Sequence, residues 1–377
     1  ANAVSMLLMP AVARAADLTA TKKQWLAAAT LLCVVATALL ALSGPGSYVL
    51  SVSMLIVSYI GFNVGESLNS AFLPEIARPE AVGKVSGWGW SLGYVGGLVT
   101  LALCLAVVLT GQARGVSMDG LVAASNLITA AVFLLVSLPV FVWLKERAVP
   151  QVHGWDQLKA HSKADPDRGK TFETLMAFRD FRYLVICGFF YQSGVATVIT
   201  LAAVYASSVM GFTLTDTLIM VLLVNITAAL GAFGFGYVQD ALGHKAALAL
   251  TLLLWIAMVA VAAFAQTRTV FWIAANLAGL AMGSSQSAGR ALVAVMAPEK
   301  KLARFYGIWN MALWLSAVIG PITYGSVTWM TGNNQRLAIV VTGVFFVAGL
   351  LTLFLLKVER ARQLAHAQNN LTDKNDA

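Results

Sequence analysis

Ten long apolar runs divide this chain, and its basic residues fall almost entirely into every second gap between them. Of 25 Lys and Arg, 22 lie in the gaps Arg14–Lys23, Arg78–Lys84, Lys145–Arg182, Lys245, Arg290–Arg304 and the tail from Lys357. The alternate gaps hold only Arg114, Arg268 and Arg336. Short loops rich in Lys and Arg stay on the cytoplasmic side of a membrane. The pattern therefore predicts a multi-pass protein, in a bacterial inner membrane, with its longest loop and its C-terminus in the cytoplasm.

Composition agrees, since a 377-residue chain that is 59% hydrophobic and 11% charged has too little polar surface for a soluble fold. A net charge of +8 raises the question of a nucleic-acid partner. Basic residues dispersed over loops of one membrane face match anionic lipid headgroups instead, so the bilayer is the expected partner and nucleic acid is not. Cys33, Cys104 and Cys187 each lie inside an apolar run, and the four histidines lie in loops or the tail. Neither set has metal-ligand spacing, so no metal and no cofactor is expected.

A helix needs roughly 20 apolar residues to cross ~30 Å of hydrocarbon. The runs at about 25–43, 48–69, 88–110, 122–144, 183–209, 217–238, 246–265, 270–290, 303–329 and 337–356 qualify. Residues 1–13 are apolar but short. Ala13-Arg14-Ala15-Ala16 has the small residues of a signal-peptide cleavage box, yet a basic n-region is lacking and Arg within the box is awkward. The charge rule favours a partial helix preceded by one more. The expected domains are an incomplete N-terminal bundle over 1–144, a cytoplasmic linker over 145–181, a C-terminal bundle over 182–356 and a tail over 357–377. Within the linker, Arg168-Gly169-Lys170-Thr171 imitates the end of a phosphate-binding loop. Ala164 stands where its first Gly belongs and no strand precedes it, so nucleotide binding is not expected.

The two halves resemble each other. Pro79-Glu80 is followed by Lys84, Gly87 and Trp88, and Pro298-Glu299 by Arg304, Gly307 and Trp309. Upstream, Asp17 and Lys22-Lys23 answer to Asp240 and Lys245. The offsets are nearly equal, 223 residues from Asp17 to Asp240 and 220 from Gly87 to Gly307. Both copies lie on the basic-loop side, so the repeat is parallel about an axis normal to the membrane.

Gly236-Tyr237-Val238-Gln239-Asp240-Ala241-Leu242-Gly243-His244-Lys245 resembles the loop signature of the major facilitator superfamily. Asn69-Ser70-Ala71-Phe72-Leu73-Pro74-Glu75 and Gly83 to Tyr94 are similar to its "unknown major facilitator" family, related to autophagy-related vacuolar amino-acid exporters. Gly283-Ser284-Ser285-Gln286-Ser287, Arg290 and Gly320-Pro321 are similar to that family's second half. The resemblance implies an all-α membrane fold of two parallel-repeat bundles, with about 11 of 12 transmembrane helices present, the first missing and the second partial. It implies a secondary transporter of a small solute, an amino acid being the family-level expectation. The first copy departs from the signature, with Ala13 for Gly and Thr19-Ala20 in place of the turn glycine.

Transport needs polar groups facing a cavity, because lipid-facing ones are costly. Glu66 is the single acid within an apolar run, with Asn63 and Asn69 three residues to either side on one helical face. It is a candidate for proton or cation coupling or for a substrate amine, with a carboxylate reaching the headgroup zone as the alternative. Gln192, beside Ser193, and Asn225 lie mid-run and suit a zwitterionic or hydroxylated solute; interhelical contact is the alternative. Asn276 and Asn310 are weaker candidates. Gly89, Gly93 and Gly97 form a small-residue stripe expected to pack helices. Trp88 and Trp90 read as interfacial anchors. The gating candidates are Asp17, Asp240, Gly243, Lys245 and Arg290, with Asp240 paired to a basic residue opening the next helix. An enzyme would need a convergent nucleophile, base or metal set at membrane depth, and the apolar runs carry none. A transport-inactive sensor or assembly partner is the remaining alternative.

Overall fold

A computed structural model describes residues 1–44, 46–152, 157 and 171–376, and their backbone forms α-helices, short 3-10 turns and connecting loops. The helices are α1 (Asn2–Thr19), α2 (Lys22–Leu39), α3 (Tyr48–Ser70), α4 (Leu73–Ile76), α5 (Val82–Ala113), α6 (Met118–Trp143), α7 (Thr171–Ala177), α8 (Arg179–Met210), α9 (Leu214–Leu242), α10 (His244–Phe264), α11 (Arg268–Met296), α12 (Leu302–Met330), α13 (Gln335–Leu355) and α14 (Val358–Asp376). The phosphate-loop lookalike at 168–170, and His153 and His161, lie outside the described residues.

Among the described residues nine helices are long and apolar enough to cross a membrane. This is one fewer than the sequence suggested. The difference is α11, long enough at 29 residues but diluted by Asn276, Ser284, Ser285, Gln286, Ser287 and Arg290. It tolerates them because 18 of its 29 residues are buried in protein, so few of its polar groups meet lipid. The opening helix also differs from expectation. It continues past residue 13 through Asp17 to Thr19, leaving only Ala20 and Thr21 before α2. Elsewhere large apolar side chains face outward, as Leu101, Leu105 and Leu109 do along α5. Their four-residue spacing makes one exposed apolar stripe.

The chain forms two compact units. The first comprises residues 1–75, 96–169 and 300–307, and the second 76–95, 170–299 and 308–377. Each therefore takes in a short stretch that the sequence assigned to the other half. In the first unit α2 packs on α3 and α6, and α1 on α3 and α2. Gly61 lets α3 approach α2 closely, since a Cβ there would lie 2.8 Å from the Ala29 carbonyl. In the second unit α11 is central, packing on α8, α9, α10 and α14, while α13 packs on α8 and α10. Gly231, Gly279 and Gly283 form the α9–α11 seam, where backbone faces backbone. Close approach through small residues is how membrane helices gain van der Waals contact without a hydrophobic driving force.

Candidate functional site

Neither α5 nor α12 begins with a Ser, Thr, Asp or Asn that could cap it. Each follows a Pro-Glu turn, Pro79–Ala81 before α5 and Glu299–Lys301 before α12. The first amides of a helix lack intrahelical acceptors, so they must find acceptors elsewhere. Within the first unit the Asp17 carboxylate accepts from the Ala303 and Arg304 amides, both at 2.9 Å. Within the second, the Asp240 carboxylate accepts from the Gly83 and Lys84 amides at 2.8 and 3.1 Å. A negative charge at the positive end of a helix dipole adds to both contacts.

The surroundings of the two carboxylates differ. Asp17 is buried and Asp240 half-buried. Burial pushes the Asp17 carboxyl up to about 7, while the Arg304 and Ala303 amides and the charges of Lys22 and Arg304 pull the other way. Around Asp240, Gly87 faces α9 so closely that a Cβ would lie 2.5 Å from the Ala232 carbonyl. A Cβ on the matching Gly307 would meet only Met9 and Ala13 side chains at 3.2–3.5 Å. Gly243 ends α9 at φ +88°, a conformation that favours glycine. At the matching position Ala20 ends α1 at φ +50°, ψ +48°, left-handed despite its Cβ.

Lys245 does not pair with Asp240, contrary to expectation; its Nζ donates to the Leu356 carbonyl at 2.6 Å and the Phe354 carbonyl at 3.3 Å. Lys23 makes the matching contact with the Leu144 carbonyl at 2.7 Å. These lysines therefore serve the negative ends of α13 and α6, as the acids serve positive ends. The first unit adds a buried Lys22–Glu75 ion pair, and Glu146 accepts from the Lys22 and Lys23 amides at 2.8 and 3.1 Å. In the second unit buried Asp180 accepts from Arg360 Nε at 2.6 Å and from the Lys357 amide at 2.9 Å.

Arg290 Nε donates to Ser86 Oγ at 3.1 Å and Nη2 to the Ser86 carbonyl at 2.7 Å, with its guanidinium 5.7 Å from the Trp90 ring centre. Gly89 sits against that guanidinium. The rest of the expected packing stripe is corrected: among the described residues nothing beyond the helix's own backbone comes within 4 Å of where a Cβ would stand on Gly93 or Gly97. Trp90 is also corrected. It lines a cavity, whereas Trp88 is exposed.

That cavity measures about 380 Å³ and lies within the second unit. Six aromatic rings line it, those of Trp90, Tyr94, Tyr205, Trp255, Phe271 and Tyr324. Asn225 is in its wall, its amide turned back to donate to the Val221 carbonyl at 2.8 Å. Gln286, which the sequence offered only as part of a family motif, accepts a hydrogen bond from the Tyr94 hydroxyl in the same wall. Gln192 is buried on α8 and is not among the lining residues. Asn63 donates to Asn2 Oδ1 at 3.2 Å and buried Ser5 Oγ at 3.1 Å, a tie between α3 and α1, and Glu66 is half-buried on the same helix. The structure thus brings Asn225 to the cavity and leaves Asn63 and Glu66 in the other unit.

A family model described as "Vacuole effluxer Atg22 like" matches residues 1–366. The chain is 25% identical over 368 residues to the uncharacterized MFS-type transporter YxiO of Bacillus subtilis, covering 97% of this chain and 84% of that one. It is 23% identical to autophagy-related protein 22 of Yarrowia lipolytica over 86% of this chain, and spans 59% of that relative's length. Among solved structures it resembles the E. coli fucose:proton symporter FucP, with TM-score 0.75, 14% identity and coverage of 93% of this chain and 87% of that one. The human organic anion transporter MFSD10 gives TM-score 0.72 at 17% identity, over 94% of this chain and 82% of that one. The fold is that of the major facilitator transporters, and the all-helical expectation holds.

Proposed function

The chain belongs to the Atg22-like vacuole effluxer family, and we propose that it moves a small solute across a membrane by alternating access. It is a multi-pass membrane protein of a family of transporters, not enzymes. The observation that carries the proposal is the repeated carboxylate cap. Asp17 at the start of α12 and Asp240 at the start of α5 each bind two amides, and each links segments from opposite halves of the sequence. Such contacts are individually modest and charge-assisted, so they hold one state without locking it. In the proposed cycle the half ending near Leu144 rocks against the half starting near Arg182, breaking and remaking both caps.

Counterflow of labelled solutes in proteoliposomes tests this. Flux is expected for at least one small solute, slowed at least 10-fold by Asp240→Ala; silence of well-folded protein across a broad panel overturns it and favours the sensor reading. Coupling to a proton or cation is assigned to Glu66, so Glu66→Gln should leave exchange intact and abolish uphill uptake. Unchanged uphill uptake removes Glu66 from that role. An amino acid as the solute rests on family likeness. The 22-to-3 split of basic residues supports a bacterial plasma membrane with the C-terminus inside. A fluorescent protein fused after Ala377 should glow, and alkaline phosphatase placed there should be inactive.

A further inference from the structure

The aromatic cavity of the second unit has a chemistry that narrows the solute. Among its described lining residues none is Asp, Glu, Lys, Arg or His. Its polar groups are mostly engaged already. Tyr205 donates to the Ala262 carbonyl at 2.9 Å, Trp255 Nε1 to Ser285 Oγ at 3.2 Å, Thr342 to the Ala338 carbonyl at 3.0 Å, Tyr324 to Gln335, and Tyr94 to Gln286. Arg290 lies one helical turn beyond Gln286 on α11 and is bound to Ser86 and the Trp90 face. One group stands apart. The indole N–H of Trp90 is buried and has no hydrogen-bond partner among the described residues.

On the reading of this chain as a transporter, we propose that this cavity is its solute site and that the solute is an uncharged aromatic or cycloaliphatic compound carrying one hydrogen-bond acceptor, which takes the Trp90 N–H. The volume falls in the range of small-molecule sites, roughly 300–1,000 Å³. A ring meets flat aromatic walls in edge-to-face or offset contact, which suits six surrounding rings. An ionised carboxylate or ammonium would lose its water here and find no opposite charge among the described lining residues, which disfavours an unpaired buried ion. A zwitterion carries both. The cavity thus selects against the amino acid that family likeness suggests. The Trp90 N–H, which costs stability while unpaired, gains an acceptor when the solute arrives.

Four compounds sharing one ring and differing in charge test this: 2-phenylethanol, phenylalanine, 2-phenylethylamine and phenylacetate. Binding is measured by calorimetry on the full chain in nanodiscs, with empty nanodiscs subtracted to remove partition into lipid. The alcohol is expected to bind at least about 10-fold more tightly than each charged analogue. Trp90→Phe should weaken the alcohol roughly 3–10-fold, yet leave ethylbenzene, which has no oxygen, within about 2-fold. A narrowed cavity in Ala275→Leu should weaken both. Phenylalanine binding as tightly as the alcohol overturns the uncharged solute and leaves transport standing. Equal loss of alcohol and ethylbenzene in Trp90→Phe overturns the N–H contact. Failure of all four ligands, or indifference to Ala275→Leu, removes the cavity as the site, while counterflow independently decides whether the protein transports.

Discussion

The Asp17 and Asp240 caps do the same work with different sequences around them. Asp240 sits in a complete loop signature, where Gly236 and Gly87 bring two backbones together and Gly243 makes the turn. Asp17 has Ala13 and Ala20 at the corresponding positions, yet it reaches the same two amides of the matching helix. What survives is the demand, a helix start with no local cap. What varies is how tightly the neighbouring backbones close. Looser packing beside Gly307 accommodates the Ala13 methyl, and the turn at Ala20 accepts strain that glycine would avoid. The two caps also differ in access to water, because Asp17 is buried and Asp240 is half-buried.

The largest expected effect separates the caps by that access. Asp17→Ala strands two amides, the Ala303 one at a buried residue, at about 1–3 kcal/mol for each group left dry. Asp240→Ala strands two amides that water can reach more easily, and should cost about half as much. Chemical unfolding of the purified protein reads the order, and an Asp240 loss equal to or above that of Asp17 breaks the account. Next comes Gly87→Ala, expected to destabilise by about 1–3 kcal/mol through overpacking against Ala232 and Gly236. Gly307→Ala should cost well under half of that, because its new methyl meets only side chains. Equal costs at the two glycines would mean that the repeats are packed alike.

Much of this was legible in residues. Matched offsets located both acids and both glycines, because a repeat fixes spacing whatever its chemistry. The partners of the acids were not legible. A basic residue opening the next helix looks like a natural mate for Asp240, but Lys245 instead caps a helix end more than 100 residues away in sequence. The missing N-cap residues before Val82 and Leu302 were the available signal, since uncapped amides must be satisfied from elsewhere. The stripe Gly89, Gly93, Gly97 misled because spacing alone does not say whether small residues meet a neighbour or open space. Trp90 misled likewise, an indole near a helix end being as ready to line a cavity as to anchor in headgroups. The interior role of α11 was hidden by its moderate polarity, which suits a helix surrounded by protein better than one facing lipid.

A smaller effect separates the turns. Ala20→Gly should stabilise by about 1 kcal/mol, since its φ of +50° costs a residue with a Cβ roughly that much and a glycine almost nothing. The reverse change, Gly243→Ala, should destabilise, because φ +88° with ψ +147° lies outside the left-handed helical basin that Ala20 occupies. Opposite signs from two substitutions at matching positions would show that the repeats share a turn and differ only in how they make it.

The caps also differ in how the Asp17 carboxyl responds to pH. Its folded carboxyl titrates near 7, above the ordinary value of 3.8. A raised carboxyl favours the protonated form in the folded state, so its stabilising contribution is full below about 4 and is lost as pH rises to about 7, then flat. A side-chain amide has no proton to lose in this range, so Asp17→Asn should gain stability relative to the parent between pH 4 and 7 and hold that gain above it. Melting the two proteins side by side across that range reads the difference directly. A constant gap would place the Asp17 carboxylate in contact with enough water or positive charge to remain ionised throughout. The contrast between a buried and a half-buried cap would then have to rest on backbone packing alone.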